Sequence, residues 1–163
     1  MPAPLEIATP SDREVVITRA FDAPPDLVFD CHTRPDLVRR WLLGPPGWTM
    51  PVCEIDLRVG GTYRYVWRSP DGATDMGMGG TYRDIARPER LVANELFDED
   101  WTGGETLVRT EFAAAEANTT LTTTTVLYSS REARDGALET GMTEGMEQGF
   151  RNLDALLASA AAA

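Results

Sequence analysis

Few residues of this chain have the types and spacing that enzyme chemistry requires. His32 is the only histidine, which excludes a histidine-rich metal site, and no CxxC pair is present for zinc. Cys31 directly precedes His32, and adjacent residues on a helix point about 100° apart, which argues against a nucleophile–base dyad. Glu95 lies in an otherwise apolar run, where burial would raise its pKa. We therefore assign no catalytic residue, metal or cofactor, and we take His32 and Glu95 as candidate polar groups of a pocket. For His32 the alternative is a ring satisfied by a backbone carbonyl.

Large apolar side chains at regular spacing are the stronger signal. Tyr63, Tyr65 and Trp67 share one face of a strand-like run by alternation. Met76 and Met78 alternate with glycines, which permit a bent sheet or the close approach of a ligand, and methionine adapts to irregular binding surfaces. A filled core is the alternative explanation of this pattern. The predicted ligand-binding residues are Trp41, Tyr63, Tyr65, Trp67, Met76, Met78, Phe97, Met142, Met146 and Phe150.

The last stretch of the chain, residues 129–158, predicts one long amphipathic helix. Ser129 is followed three residues later by Glu132, which is a capping-box pattern. Apolar residues then recur at helical spacing as far as Leu157. This helix would lie over a curved sheet with a cavity between them.

A row of glycines spaced by four accompanies the apolar face of that helix. The row consists of Gly141, Gly145 and Gly149. Each glycine inside a helix costs about 1 kcal/mol relative to alanine, so the row indicates a face on which close packing needs small residues.

Strands and two short helices are predicted upstream. Residues 13–21 alternate and form a first strand, after which Pro24-Pro25 and Pro35 each begin a short helix. Short turns then separate strand-like runs and permit an antiparallel meander. The runs are 49–57, 61–69, 74–85, 90–98, 106–113 and 119–128. The fold class is α+β, with a curved antiparallel sheet of about six or seven strands wrapped around the long C-terminal helix.

Length and charge narrow the range of partners. The chain of 163 residues fits a flexible N-terminal arm over residues 1–12 and a single domain over residues 13–159. A net charge of −11 disfavours nucleic acid and anionic membrane surfaces. No apolar run reaches the length of a membrane span, and the first residues are not a signal peptide. We expect a cytoplasmic protein in which Cys31 and Cys53 are free thiols.

Several short motifs carry a resemblance to a known family through their order and spacing. They are Phe21-Asp22-Ala23-Pro24, Thr33-Arg34-Pro35 with Arg40-Trp41, Asp56-Leu57-Arg58-Val59-Gly60-Gly61, Arg68-Ser69-Pro70-Asp71-Gly72, Pro88-Glu89-Arg90-Leu91 and Leu153-Asp154-Ala155-Leu156-Leu157. Together they resemble the helix-grip fold of the SRPBCC (START-type) superfamily. Within it, they resemble the family named after the activator of the heat-shock-protein-90 ATPase. The chain departs from that family at His32, where relatives commonly carry a large apolar residue, and at Leu42 and Phe150.

The resemblance implies a fold more firmly than a function, because the superfamily includes carriers of hydrophobic molecules, cyclases, resistance proteins and co-chaperone domains. The first hypothesis is that the protein binds a small hydrophobic or aromatic molecule between the sheet and the C-terminal helix. The second is a cofactor-independent enzyme of the cyclase or hydrolase type, which would use His32 or Glu95. The third is a co-chaperone that contacts a heat-shock ATPase, which is less favoured because the chain has no room for the separate preceding domain of the eukaryotic activator. The sequence leaves a homodimer open.

Overall fold

Eight strands form one curved antiparallel sheet in the computed structural model, which describes residues 2–162. The strand order across the sheet is β1-β2-β8-β7-β6-β5-β4-β3. The strands are β1 (Glu6–Ala8), β2 (Glu14–Phe21), β3 (Thr49–Ile55), β4 (Thr62–Arg68), β5 (Asp75–Ala86), β6 (Arg90–Phe97), β7 (Thr106–Ala115) and β8 (Thr119–Leu127).

Four α-helices accompany the sheet within the described residues. They are α1 (Pro25–Thr33), α2 (Pro35–Val38), α3 (Arg131–Leu138) and α4 (Met142–Ala162), and a single 3-10 turn covers Glu116–Asn118. Proline occupies the first turn of both α1 and α2, where its missing N–H costs no hydrogen bond. Arg34, the residue before Pro35, is extended and separates the two helices.

The α+β helix-grip prediction is confirmed, and the two short helices lie between the first long strand and the meander as expected. One strand was not predicted. Residues 6–8, inside the segment expected to be a flexible arm, form β1 and pair with β2, with Glu6 opposite Thr18. This edge strand raises the number of strands to eight, and its three exposed residues carry no burial pattern that would reveal it.

The predicted long C-terminal helix is present as α4, but its predicted start near residue 129 is wrong, because α3 and α4 are separate helices. The hydroxyl of Ser130, and not that of Ser129, accepts a hydrogen bond from the Ala133 N–H at 3.1 Å and caps α3. After α3 the chain passes through Gly141, whose φ of +78° lies in the left-handed region that ends helices. The apolar spacing carries on through the break, which explains why periodicity alone did not show it.

The three glycines of the predicted row therefore have different surroundings. Gly141 lies outside both helices. A Cβ on Gly145 would meet no atom within 4 Å, and one on Gly149 would lie 3.9 Å from the ring of Trp41. The row is consequently not one continuous packing face.

A buried ion-pair cluster joins α4 to the sheet. Arg19 on β2 is 3% exposed, and its guanidinium donates to Glu147 at 3.2 Å and to Asp154 at 2.7 Å. Glu147 also accepts a hydrogen bond from the Leu5 N–H at 2.9 Å. Because buried charges are costly unless paired, these contacts fix where α4 crosses β2.

The apolar core has two parts. The first joins α4, through Phe150, Leu153 and Leu157, to β2, β7, β8 and α1. The second lies under the aromatic side chains of β4 and the residues of β5 and β6 that face them. None of the helices within residues 2–162 has the length and apolar character needed to cross a bilayer.

One substitution, glycine to alanine, should have opposite effects at two of these glycines. Gly149→Ala should raise the free energy of unfolding by about 1 kcal/mol, because it lies inside α4 and a methyl group makes only an ordinary contact with Trp41. Gly141→Ala should lower it by roughly 1 kcal/mol, because alanine is strained at this positive φ. Urea denaturation followed by circular dichroism measures both, and a loss of stability in Gly149→Ala would contradict the packing described here.

Candidate ligand-binding cavity

A cavity of about 150 Å³ lies between the sheet and the short helices α1 and α2. Strands β4 to β7 contribute most of its wall, and α1, α2 and the turn after α2 contribute the rest. No described residue of α4 lines it. The lining residues are His32, Val38, Trp41, Leu42, Tyr63, Tyr65, Met78, Tyr82, Leu91, Ala93, Glu95, Val108 and Thr110.

Three tyrosines form an aromatic side of the cavity. Alternation along β4 turns Tyr63 and Tyr65 inward, and Tyr82 on β5 lies beside them, with ring centroids 5.4 Å apart for Tyr63 and Tyr82. The hydroxyl of Tyr63 donates to the carbonyl of Asn94 at 2.9 Å. Burial raises the pKa of all three phenols above the ordinary value, so they stay protonated at neutral pH.

Trp41 separates the cavity from α4. Its indole Nε1–H donates to the carbonyl of Cys31 at 2.7 Å, which fixes the ring. One neighbour is Phe150 of α4, with stacked rings whose centroids are 6.3 Å apart, and another is His32, at 5.1 Å. The apolar face of α4 therefore packs against the far side of Trp41 and does not reach the cavity.

His32 is both a polar group of the cavity lining and a ring satisfied by a backbone carbonyl, the two alternatives that its sequence position suggested. Its Nδ1 lies 2.8 Å from the carbonyl of Val28, one turn earlier in α1. Since a carbonyl only accepts, the ring proton lies on Nδ1 and Nε2 keeps its lone pair. Burial lowers the pKa of His32 below its ordinary value, so the ring that lines the cavity is a neutral acceptor.

Glu95 is the acidic group of the cavity. It lies on β6 opposite Thr106 of β7, and its neighbours in the lining on the same strand are Leu91 and Ala93. Its carboxylate forms no ion pair or hydrogen bond with a described residue, yet it is not sealed from solvent, so it opens onto the cavity. Burial raises its pKa from 4.5 to about 7, and no neighbouring cation opposes this effect.

Half of the residues predicted for the site line the cavity. They are His32, Trp41, Tyr63, Tyr65, Met78 and Glu95. Trp67, Met76 and Phe97 belong to the same part of the core but lie outside the lining, and the Trp67 Nε1–H donates to the carbonyl of Leu42 at 2.8 Å. Met142, Met146 and Phe150 belong to the core part that holds α4.

The expectation that the C-terminal helix would form a wall of the cavity is therefore wrong. Phe150 packs against Phe21, with ring centroids 5.4 Å apart, and the Met142 sulfur accepts a hydrogen bond from the Tyr128 hydroxyl at 3.5 Å. These contacts fill the space under α4. Sequence reasoning missed seven lining residues, Val38, Leu42, Tyr82, Leu91, Ala93, Val108 and Thr110.

The two cysteines do not supply a nucleophile to the cavity. Cys31 and Cys53 are free and buried, as predicted. Burial raises the pKa of Cys31 to about 11 and also raises that of Cys53, so neither is a thiolate at neutral pH. Neither residue lines the cavity.

Comparisons with known proteins agree with this architecture. The model of the family described as Activator of Hsp90 ATPase homolog 1-like protein matches residues 22–158. A crystal structure of a protein from Rhodobacter sphaeroides is 34% identical, with 96% of this chain and 99% of that chain covered and a TM-score of 0.90. The chain belongs to the Activator of Hsp90 ATPase homolog 1-like family.

More distant members of the comparison share the fold. A solution structure from Arthrobacter aurescens is 26% identical, covers 96% of this chain and 93% of that chain, and has a TM-score of 0.82. The structure of an HSP90 activator from Plasmodium falciparum is 21% identical, covers 90% of this chain and 96% of that chain, and has a TM-score of 0.63. No curated protein matches the chain.

The possible metal-ligating side chains of the described residues do not form a metal site. Across residues 2–162, no three histidine, cysteine, aspartate or glutamate side chains converge closely enough to hold an ion. The cavity itself contributes a single carboxylate and a single imidazole, whereas structural zinc takes four ligands.

Glu95 should make the stability of the protein fall with rising pH. Between about pH 4.5 and about pH 7 the folded protein keeps the proton that the unfolded chain releases, so the free energy of unfolding decreases across this interval. Glu95→Gln should remove this decrease. Above about pH 7, the free energy of unfolding of this variant should exceed that of the wild type by roughly 1 to 3 kcal/mol. Urea denaturation at a series of pH values measures the difference.

The comparison with wild type is needed because His32 acts in the opposite direction. Its lowered pKa makes stability rise with pH up to its ordinary value, and this contribution is common to both proteins. Glu105→Gln, at the exposed residue just before β7, is the matched control and should follow the wild-type profile. A constant difference between Glu95→Gln and wild type at all pH values would contradict the raised pKa.

Proposed function

We propose that this protein binds a small apolar or aromatic molecule in the cavity between the sheet and helices α1 and α2. The observation that carries this proposal is a largely apolar cavity, with Trp41 and three tyrosines in its wall, into which a carboxyl and a neutral imidazole open. Binding sites commonly combine an apolar lining with a few polar groups that orient the ligand.

The size of the space suits a ligand of about one ring. A dry apolar cavity of about 150 Å³ can hold a molecule such as benzene, whereas sites for drug-sized ligands exceed about 300 Å³. The cavity has the smaller volume. Toluene is therefore a suitable first probe.

Binding is better supported than a particular reaction. The one hydrogen bond of the His32 ring goes to the Val28 carbonyl, and the Glu95 carboxylate has no hydrogen bond to a nucleophile among the described residues. An imidazole and a carboxyl group whose pKa is raised to about 7 could serve an acid–base reaction. The arrangement does not indicate which bond they would act on.

Filling the cavity should abolish binding of the probe. Ala93 is buried and lines the cavity, so Ala93→Leu places three further carbon atoms in it. We expect the affinity for toluene to fall by about tenfold or more, while the free energy of unfolding changes by less than about 2 kcal/mol. Isothermal titration calorimetry measures the affinity.

Ala113→Leu is the control, because Ala113 lies on the exposed side of β7 and the substitution adds the same atoms outside the cavity. It should bind toluene as the wild type does. Equal affinity of all three proteins would place the probe elsewhere and contradict the proposal.

Contact with an Hsp90-type ATPase is a second candidate. It is supported by the family match over residues 22–158 and by the shared fold with the HSP90 activator from Plasmodium falciparum. Such a contact would use the surface, so Ala93→Leu should not affect it. The purified chain should then raise the ATPase rate of an Hsp90-type protein about twofold or more. An unchanged rate at saturating concentration would contradict this candidate.

A further inference from the structure

The charge of the ligand can be inferred from what the cavity lacks, provided that the cavity is a ligand site as proposed above. The imidazole of His32 and the carboxyl group of Glu95, both in the cavity lining, each present an acceptor. Glu95, when ionised, only accepts hydrogen bonds. His32 uses its Nδ1–H on the Val28 carbonyl, which leaves Nε2 as an acceptor.

No basic side chain within the described residues forms an ion pair with the Glu95 carboxylate. The lining contains neither arginine nor lysine, and all 15 basic residues of the chain are arginines. Those on β6 and on the two strands beside it have partners outside the cavity: Arg90 of β6 pairs with Asp84, Arg83 of β5 donates to the Asn94 side chain, and Arg109 of β7 pairs with Glu111. A carboxylate in an apolar space without a partner is costly, so a ligand that supplies the positive charge would relieve that cost.

The rest of the wall suits a cation as well. Trp41, Tyr63, Tyr65 and Tyr82 all line the cavity, and aromatic faces attract ammonium groups, most strongly where water is excluded. The tyrosine hydroxyls can donate or accept, so they do not oppose either kind of ligand. An anionic ligand, in contrast, would face Glu95 with no compensating charge.

We propose that the ligand is a small primary amine that carries about one ring, and that its ammonium group donates to the carboxylate of Glu95 and to Nε2 of His32. The ring occupies the space between Trp41 and the tyrosines. A hydrocarbon of the same size fits but leaves both acceptors unpaired, which costs affinity.

Three probes of similar size and different charge test this proposal. Isothermal titration calorimetry at about pH 8, where Glu95 is ionised, compares benzylamine, toluene and benzoate. Benzylamine should bind about tenfold or more tightly than toluene, because it forms charge-assisted hydrogen bonds. Benzoate should bind more weakly than toluene.

A variant separates the charge from the shape of the cavity. Glu95→Gln should reduce the affinity for benzylamine about tenfold or more and leave that for toluene unchanged or increased. Glu105→Gln, at the exposed residue just before β7, should bind all three probes as the wild type does. An equal loss for benzylamine and toluene in Glu95→Gln would mean that Glu95 only shapes the cavity, and it would overturn the proposal.

The wild type alone provides a second test, which does not depend on how the variant folds. Tyr63 and Tyr65 of β4 and Tyr128 after β8 lie close enough to Glu95 for its charge to affect them, and His32 of α1, Tyr82 of β5 and Thr110 of β7 line the same cavity. Burial raises the pKa of the tyrosines, which stay protonated, and lowers the pKa of His32 below its ordinary value. Since the amino group of benzylamine, like that of lysine, titrates well above neutral pH, its affinity should rise from about pH 5.5 to about pH 8, while the affinity for toluene should not rise.

The outcomes distinguish this inference from the function on which it rests. If toluene binds and benzylamine binds no more tightly, the amine inference is overturned and the ligand-binding proposal stands. If none of the probes binds to the wild type, both are overturned. A benzylamine affinity that does not change with pH also overturns the role given to Glu95.

Discussion

The position of Trp41 is the constraint on which the rest of the structure depends. Its indole N–H is held by the Cys31 carbonyl at the end of α1, and its own carbonyl accepts a hydrogen bond from Asn152 of α4 at 3.3 Å. Its ring contacts both Phe150 and His32. One side chain thus connects α1 and α4 and divides the apolar interior into a filled part and a part that stays open.

The division explains why the cavity lies where it does. On the side of α4, Phe21, Phe150, Leu153 and Leu157 are buried together in one apolar cluster. On the other side, strands β4 and β5 of the curved sheet carry the tyrosines, whose rigid rings line the space without closing it. Glycine contributes to this curvature, because a Cβ at Gly80 would overlap the carbonyl of Asn94 on the next strand.

Sequence reasoning succeeded where the signal was local. Alternation along β4 is enough to turn Tyr63 and Tyr65 inward, and a glutamate in an apolar run is enough to single out Glu95. Val108 and Thr110 could not be found in this way, because they reach the cavity only through their pairing with Ala93 and Leu91 on the adjacent strand. Register is a long-range property that a single sequence without its topology does not contain.

The C-terminal segment shows a related limit. Helical spacing of apolar residues extends across both α3 and α4, because each packs its own stripe on the same core, whereas the break depends on one backbone angle at Gly141. The methionines of that segment are adaptable core residues here, and their chemical type alone did not distinguish this role from a place in the cavity wall.

The ion pairs of Arg19 with Glu147 and Asp154 have a consequence for how such a domain can diverge. They anchor α4 to β2 through atoms that take no part in the cavity wall. Substitutions among the tyrosines, Ala93 or Glu95 can therefore accumulate without loosening the helix, and the anchor can be retained while the wall changes. In a scaffold of this kind, a few substitutions in the cavity wall can change which molecule an ancestral pocket binds, while the fold stays the same.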